Sequence, residues 1–142
     1  MSELLDTTRT LSYWPEVGEI SALFGDWNAA LATGDPYLVA DRYTPDAVLL
    51  ATMSPDVRVD RAGIVDYFAN FMLARPLAVV KRSFVRVLRS TEAIDSGLCR
   101  FTMKQDGHTV AMDARFTFVY EKIDGKWMIV THHSSAMPPE AF

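Results

Sequence analysis

The chain has 142 residues, of which 49% are hydrophobic and 23% charged, with a formal net charge of −4. That is the size of one domain with its own core, and the composition excludes a disordered or collagen-like chain. The acidic balance argues against a nucleic-acid or anionic-membrane binder, which needs a basic footprint. A lone cysteine, Cys99, excludes an intrachain disulfide and a cysteine zinc cage.

The first 14 residues, MSELLDTTRTLSYW, carry Glu3 and Asp6 and no long apolar run, so they read as a loose arm and not as a secretory signal. No stretch reaches the ~20 apolar residues of a membrane helix. A soluble cytoplasmic protein without a cofactor is expected. One domain fills 15–138, and 139–142 is a tail. In 15–33, Ile20, Leu23, Phe24, Trp27 and Leu31 recur at helical spacing, with Pro15 at the start and Gly34 past the end. Asp35-Pro36 caps a second short helix that runs to about Thr44 and stops at Pro45-Asp46. The apolar run 47–52 predicts a buried strand, and 53–59 a loop. Asp60 caps a third helix over 61–74, whose apolar face is Ile64, Tyr67, Phe68, Phe71 and Met72. Four long strands follow, at roughly 78–90, 94–104, 109–122 and 127–135. Two of their connections carry Asp-Gly, a strong hairpin signal: Asp106-Gly107 and Asp124-Gly125. Helices first and an antiparallel meander afterwards make an α+β domain.

This order, with the blocks WNAALATGD (27–35), YTPDAVLL (43–50), ARFTFVY (114–120), DGKWMIV (124–130) and HHSSAMP (132–138), resembles the nuclear-transport-factor-two-like superfamily. That superfamily also holds SnoaL-like cyclases and ketosteroid isomerases. The last three blocks are most similar to the association domain of calcium/calmodulin-dependent protein kinase II and its bacterial stand-alone relatives. The resemblance implies a cone: a curved, mostly antiparallel sheet wrapped around three helices, with a pocket between them and dimers or larger assemblies outside. It also implies that one pocket arginine of the kinase domain is kept here as Arg100, while two others fall on Phe118 and Ser134. The base and the tyrosine of the isomerases fall on Ala51 and Trp27, neither of which can do that chemistry.

Alternation along 109–122 places Val110, Met112, Ala114, Phe116, Phe118 and Tyr120 toward the helices. If each Asp-Gly turn closes a three-residue loop, Phe116 lies beside His132, Ala114 beside Ser134, and Arg100 beside Met112. The concave face then holds Leu98, Arg100, Thr102, Met112, Phe116, Phe118, Val130, His132 and Ser134. A two-residue turn would instead bring His133 to Phe116. A lone arginine and a lone histidine on an apolar face need a partner, water or a ligand.

The candidate ligand-binding set is therefore Arg100, His132, Ser134, Phe116, Phe118, Tyr67 and Trp27. Arg100 would orient a polar or anionic end, and His132 would bind or move a proton. His132 and His133 point to opposite faces and His108 sits at a distant turn, so no metal is expected. Ser134 and Ser135 lack the sharp turn of a hydrolase nucleophile. Two functions stay open: a SnoaL-like binder of, or enzyme on, a small partly apolar molecule, and a non-catalytic assembly module. An open polar cavity favours the first and a sealed apolar core the second. A homodimer is expected through the outer sheet face, with Phe101, Trp127 and Ile129 on it.

Overall fold

The computed structural model describes residues 14–139; the predicted arm, apart from Trp14, and the tail, apart from Pro139, lie outside the described residues. Three helices precede and interrupt a single six-stranded sheet. They are α1 (Val17–Ala32), α2 (Pro36–Ala40) and α3 (Arg61–Phe71), the last continued by a 3-10 turn at Met72–Ala74. The strands are β1 (Tyr43–Leu50), β2 (Val57–Arg58), β3 (Leu77–Arg89), β4 (Glu92–Gln105), β5 (His108–Ile123) and β6 (Lys126–Ala136), in the spatial order β2-β1-β6-β5-β4-β3. All neighbours are antiparallel except β1 and β6, which are parallel.

The caps act as their sequence suggests. The Asp35 carboxylate accepts from the Tyr37 amide at 2.9 Å, and Asp60 accepts from the Gly63 amide at 2.8 Å. Gly34 follows α1 with a φ of +77°, and Arg75 ends the 3-10 turn at +50°, both in the left-handed region that terminates helices. Helix α2 is shorter than expected. The strand β1 begins at Tyr43 and carries Pro45-Asp46 within it. The register with β6 shifts between Tyr43 and Val48, and this irregular stretch is where a proline is tolerated in a strand.

Both Asp-Gly turns are two-residue turns. Gln105 pairs with His108 and Ile123 with Lys126, and the turn residues Asp106, Gly107, Asp124 and Gly125 all have φ between 50° and 79°. Positive φ at both central residues is the type I′ geometry, whose twist matches that of the flanking strands. The three-residue loops expected from the sequence do not form, and the strands run one residue further toward each turn.

Sheet curvature has a local cause at Gly97. A Cβ there would lie 1.9 Å from the Arg82 carbonyl oxygen, so only glycine lets β3 come this close. The β3 register shifts between Val80 and Arg82 beside it. On the concave side, Phe24, Trp27, Phe68, Phe116 and Phe118 form one aromatic cluster with tilted and edge-to-face contacts.

Candidate functional site

The concave face is only partly the one expected. Ala114, Phe116, Phe118 and Tyr120 of β5 are buried as alternation predicts. On β4, however, the two-residue turn sets Cys99 opposite Ala114 and Phe101 opposite Met112. Cys99, Phe101 and Met103 therefore point inward, and Leu98, Arg100 and Thr102 point outward. Arg100 is not a pocket residue. It lies across from Asp113 on the outer face, its Nε donating to Asp113 Oδ1 at 2.7 Å, with both side chains nearly half exposed. The expected outer residues Phe101 and Ile129 are instead core residues, 3% and 2% exposed. Trp127 is half-buried and donates to Glu19 of α1 at 2.9 Å, so it too belongs to the helix side.

His132 is inside, but not by the route foreseen. From the turn, the ladder pairs Lys122 with Trp127 and Tyr120 with Ile129, a register that would carry His133 inward. Between Tyr120 and Val119 the pairing then shifts, leaving Val130 as the extra residue of a bulge. Beyond it Phe118 pairs with His132, Thr117 with His133, and Phe116 with Ser134. The bulge reverses the facing, so His132 is 3% exposed while His133 lies on the outside.

The His132 imidazole stacks on Phe118, with centroids 4.0 Å apart and planes at 20°. Its Nδ1 lies 2.7 Å from the Tyr43 hydroxyl, which in turn accepts from Trp27 Nε1 at 3.1 Å. The direction of this chain follows from its ends. An indole N–H only donates, so the Tyr43 oxygen accepts from it; among the described residues the one acceptor within reach of the hydroxyl's own proton is His132 Nδ1. His132 is then the Nε2–H tautomer, presenting a donor at Nε2. Burial, and to a lesser degree the neighbouring His133, lowers its pKa to about 3, so the ring is neutral at physiological pH. Burial likewise raises the Tyr43 hydroxyl well above its ordinary value.

Around this chain lies an internal cavity of about 10 Å³, walled by Trp27, Leu49, Ala51, Phe101, His132 and Ser134 together with residues of α3. That volume holds about one water molecule. Thr52 borders it, its hydroxyl donating to Ser134 Oγ and its carbonyl accepting from the Tyr67 hydroxyl at 2.9 Å. Next to it are two open clefts of about 260 and 290 Å³, both bordered by Thr52, Met53 and Ser54.

Of the seven expected site residues, Trp27, Tyr67, His132 and Ser134 line one cavity. Phe116 and Phe118 are packed into the aromatic cluster behind it, and Arg100 is on the opposite face. Tyr43 and Thr52 complete the site, and neither is in the expected set. Parallel pairing of β1 with β6, which sets Leu49 beside His132, brings both there. The isomerase positions, Ala51 and Trp27, do face the same cavity. Among the described residues no group of three His, Cys, Asp or Glu side chains is gathered as a metal would require.

The fold is the one seen in nuclear-transport-factor-two-like proteins. Residues 16–138 match the calcium/calmodulin-dependent protein kinase II association domain, and the chain belongs to that family. A candidate association domain of this type from Xanthomonas campestris is 50% identical, with a TM-score of 0.87 over 89% of this chain and 91% of that one. A protein of nuclear-transport-factor-two-like character from Novosphingobium aromaticivorans (14% identity, TM-score 0.73, 99% and 92% covered) shares the fold. So does a ketosteroid isomerase-like protein from Erwinia carotovora atroseptica (17% identity, TM-score 0.70, 84% and 95% covered). No curated protein matches the chain.

Proposed function

We propose that the protein is a non-catalytic assembly module that self-associates through the outer face of its sheet. The observation that carries this reading is how little room the interior leaves. The cavity at His132 and Ser134 has room for about one water, far below the ~300 Å³ of an ordinary ligand pocket. The arginine that would orient an anionic substrate is tied to Asp113 on the other side of the sheet. A histidine held neutral to about pH 3 is also a poor general acid at neutral pH.

The outer face suits association. Ile94 and Leu98 on β4, Val119 on β5, and Met128 and Thr131 on β6 are only half-buried, and Leu50 on β1 is exposed. Arg100, Asp113 and Arg115 border this surface at its end toward the β4–β5 turn, the polar margin an interface carries around an apolar centre. Light scattering at micromolar concentration is expected to give a dimer or a larger closed assembly. Val119→Glu at the centre of the face should yield a monomer with unchanged far-UV circular dichroism. A monomeric wild-type protein would overturn the reading, and an assembled V119E would move the interface elsewhere.

A further inference from the structure

The two edges of the sheet differ. On one side β2 has two residues, while on the other β3 runs for 13, from Leu77 to Arg89, and among the described residues pairs only with β4. An open edge of that length presents a row of main-chain donors and acceptors to any extended chain. At its start the row is already filled. The Asn28 side chain of α1 donates to the Ala78 carbonyl and accepts from the Ala78 amide, both at 2.9 Å, occupying the place of a neighbouring strand. The rest of β3 beyond this plug forms the open edge.

The side chains there follow a pattern. Arg82, Phe84 and Arg86 pair with Leu98, Ser96 and Ile94, so all three stand on the outer face at a spacing of two, before the register shifts between Val87 and Arg89. The Arg82 guanidinium lies 4.8 Å over the Phe84 ring, and Phe84 and Leu88 are 54% and 43% exposed. Between Leu77 and Arg89 there are four basic residues, Lys81, Arg82, Arg86 and Arg89, and no acidic one, in a chain whose net charge is −4. Arg89 is engaged by Glu92 at 3.5 Å.

We infer that the free edge of β3 is a docking strand for an extended acidic segment of another protein, which adds to the sheet antiparallel or parallel to β3. Basic charges on an edge also discourage self-pairing, and here they exclude a second copy: two β3 edges brought together would oppose arginine to arginine. A purely defensive edge has no use for an exposed phenylalanine between the two arginines. The occupant that fits carries an acid, an apolar residue and an acid at alternate positions, setting carboxylates beside Arg82 and Arg86 and an apolar side chain beside Phe84. Main-chain hydrogen bonds would supply affinity and this alternation the selectivity. The inference does not rest on the assembly reading, because strand addition uses the main-chain groups of the β3 edge; its side-chain contacts at Arg82, Phe84 and Arg86 only border the face that assembly would cover.

The test is fluorescence anisotropy with a labelled peptide of roughly ten residues, a common strand length, that alternates Glu and Val on one face. Three comparisons accompany it: the same peptide with Lys for Glu, the same peptide N-methylated at every other amide, and the Arg82→Glu/Arg86→Glu double variant. Binding of the acidic peptide, a loss of at least tenfold for each comparison, and slowed hydrogen exchange of β3 amides in the complex are expected. Equal binding of the N-methylated peptide would reduce the contact to charge alone and overturn strand addition. No binding, or β3 amides already protected in the free protein by its own arm or a second copy, would overturn it as well.

Discussion

At the scale of the residue, His132 shows how burial turns a titratable group into a structural one. Its ring is clamped between Phe118 and the Tyr43 hydroxyl, and desolvation holds it neutral. In the unfolded chain the same imidazole takes a proton below about pH 6.5. In the fold it does so only near pH 3. The unfolded state therefore binds more protons as pH falls through this window, and the native state loses stability there, at up to about 1.4 kcal/mol per pH unit. His132→Gln keeps an acceptor for Tyr43 and removes the titration. Urea unfolding at steps from pH 7 to pH 4 should give a shallower acid slope for H132Q than for the wild type. Parallel slopes would show that the histidine charges freely in the fold.

At the scale of the element, α3 depends on its first turn. Its apolar face is Ile64, Tyr67, Phe68 and Phe71, all buried, and it is short at 11 residues. Asp60 satisfies one of the amide donors that a helix start leaves unpaired. Asp60→Ala is expected to cost about 1 kcal/mol, and to do so without changing the cavity, because Asp60 is exposed and is not among the residues that line it. Thermal melts of the two proteins check it, and an unchanged midpoint would mean the cap contributes nothing. The clasp that α3 provides, Tyr67 to the Thr52 carbonyl, should persist in that variant.

At the scale of the whole molecule, the inside of the cone leaves little room for a substrate. The positions matched to a base and an oxyanion donor are Ala51 and Trp27, and both face a cavity of about 10 Å³. Ala51 has no proton acceptor, and the Trp27 N–H is spent on Tyr43. Purified protein should not isomerise a Δ5-3-ketosteroid above the buffer rate. Turnover would show that a different acid reaches the substrate and that the cone opens in solution.

The helices, the four long strands and both hairpin sites were legible in the sequence, because they rest on local signals: apolar spacing, capping aspartates and Asp-Gly turns. Phe116, Phe118 and Tyr120 were correctly set inside by alternation alone. The register was not legible, since an Asp-Gly pair is compatible with loops of two or three residues and each choice inverts the partner strand. For Arg100 the inversion was decisive: the two-residue turn put it outside with Asp113 and put Cys99 and Phe101 within. For His132 the same turn error was cancelled by the bulge at Val130. No residue type announces that bulge. Where β5 pairs with β6 the extra residue must be accommodated together with the parallel strand β1, which itself shifts register between Tyr43 and Val48. Only the packed sheet decides such a compromise, because it joins residues nearly ninety positions apart, as in the Tyr43–His132 hydrogen bond.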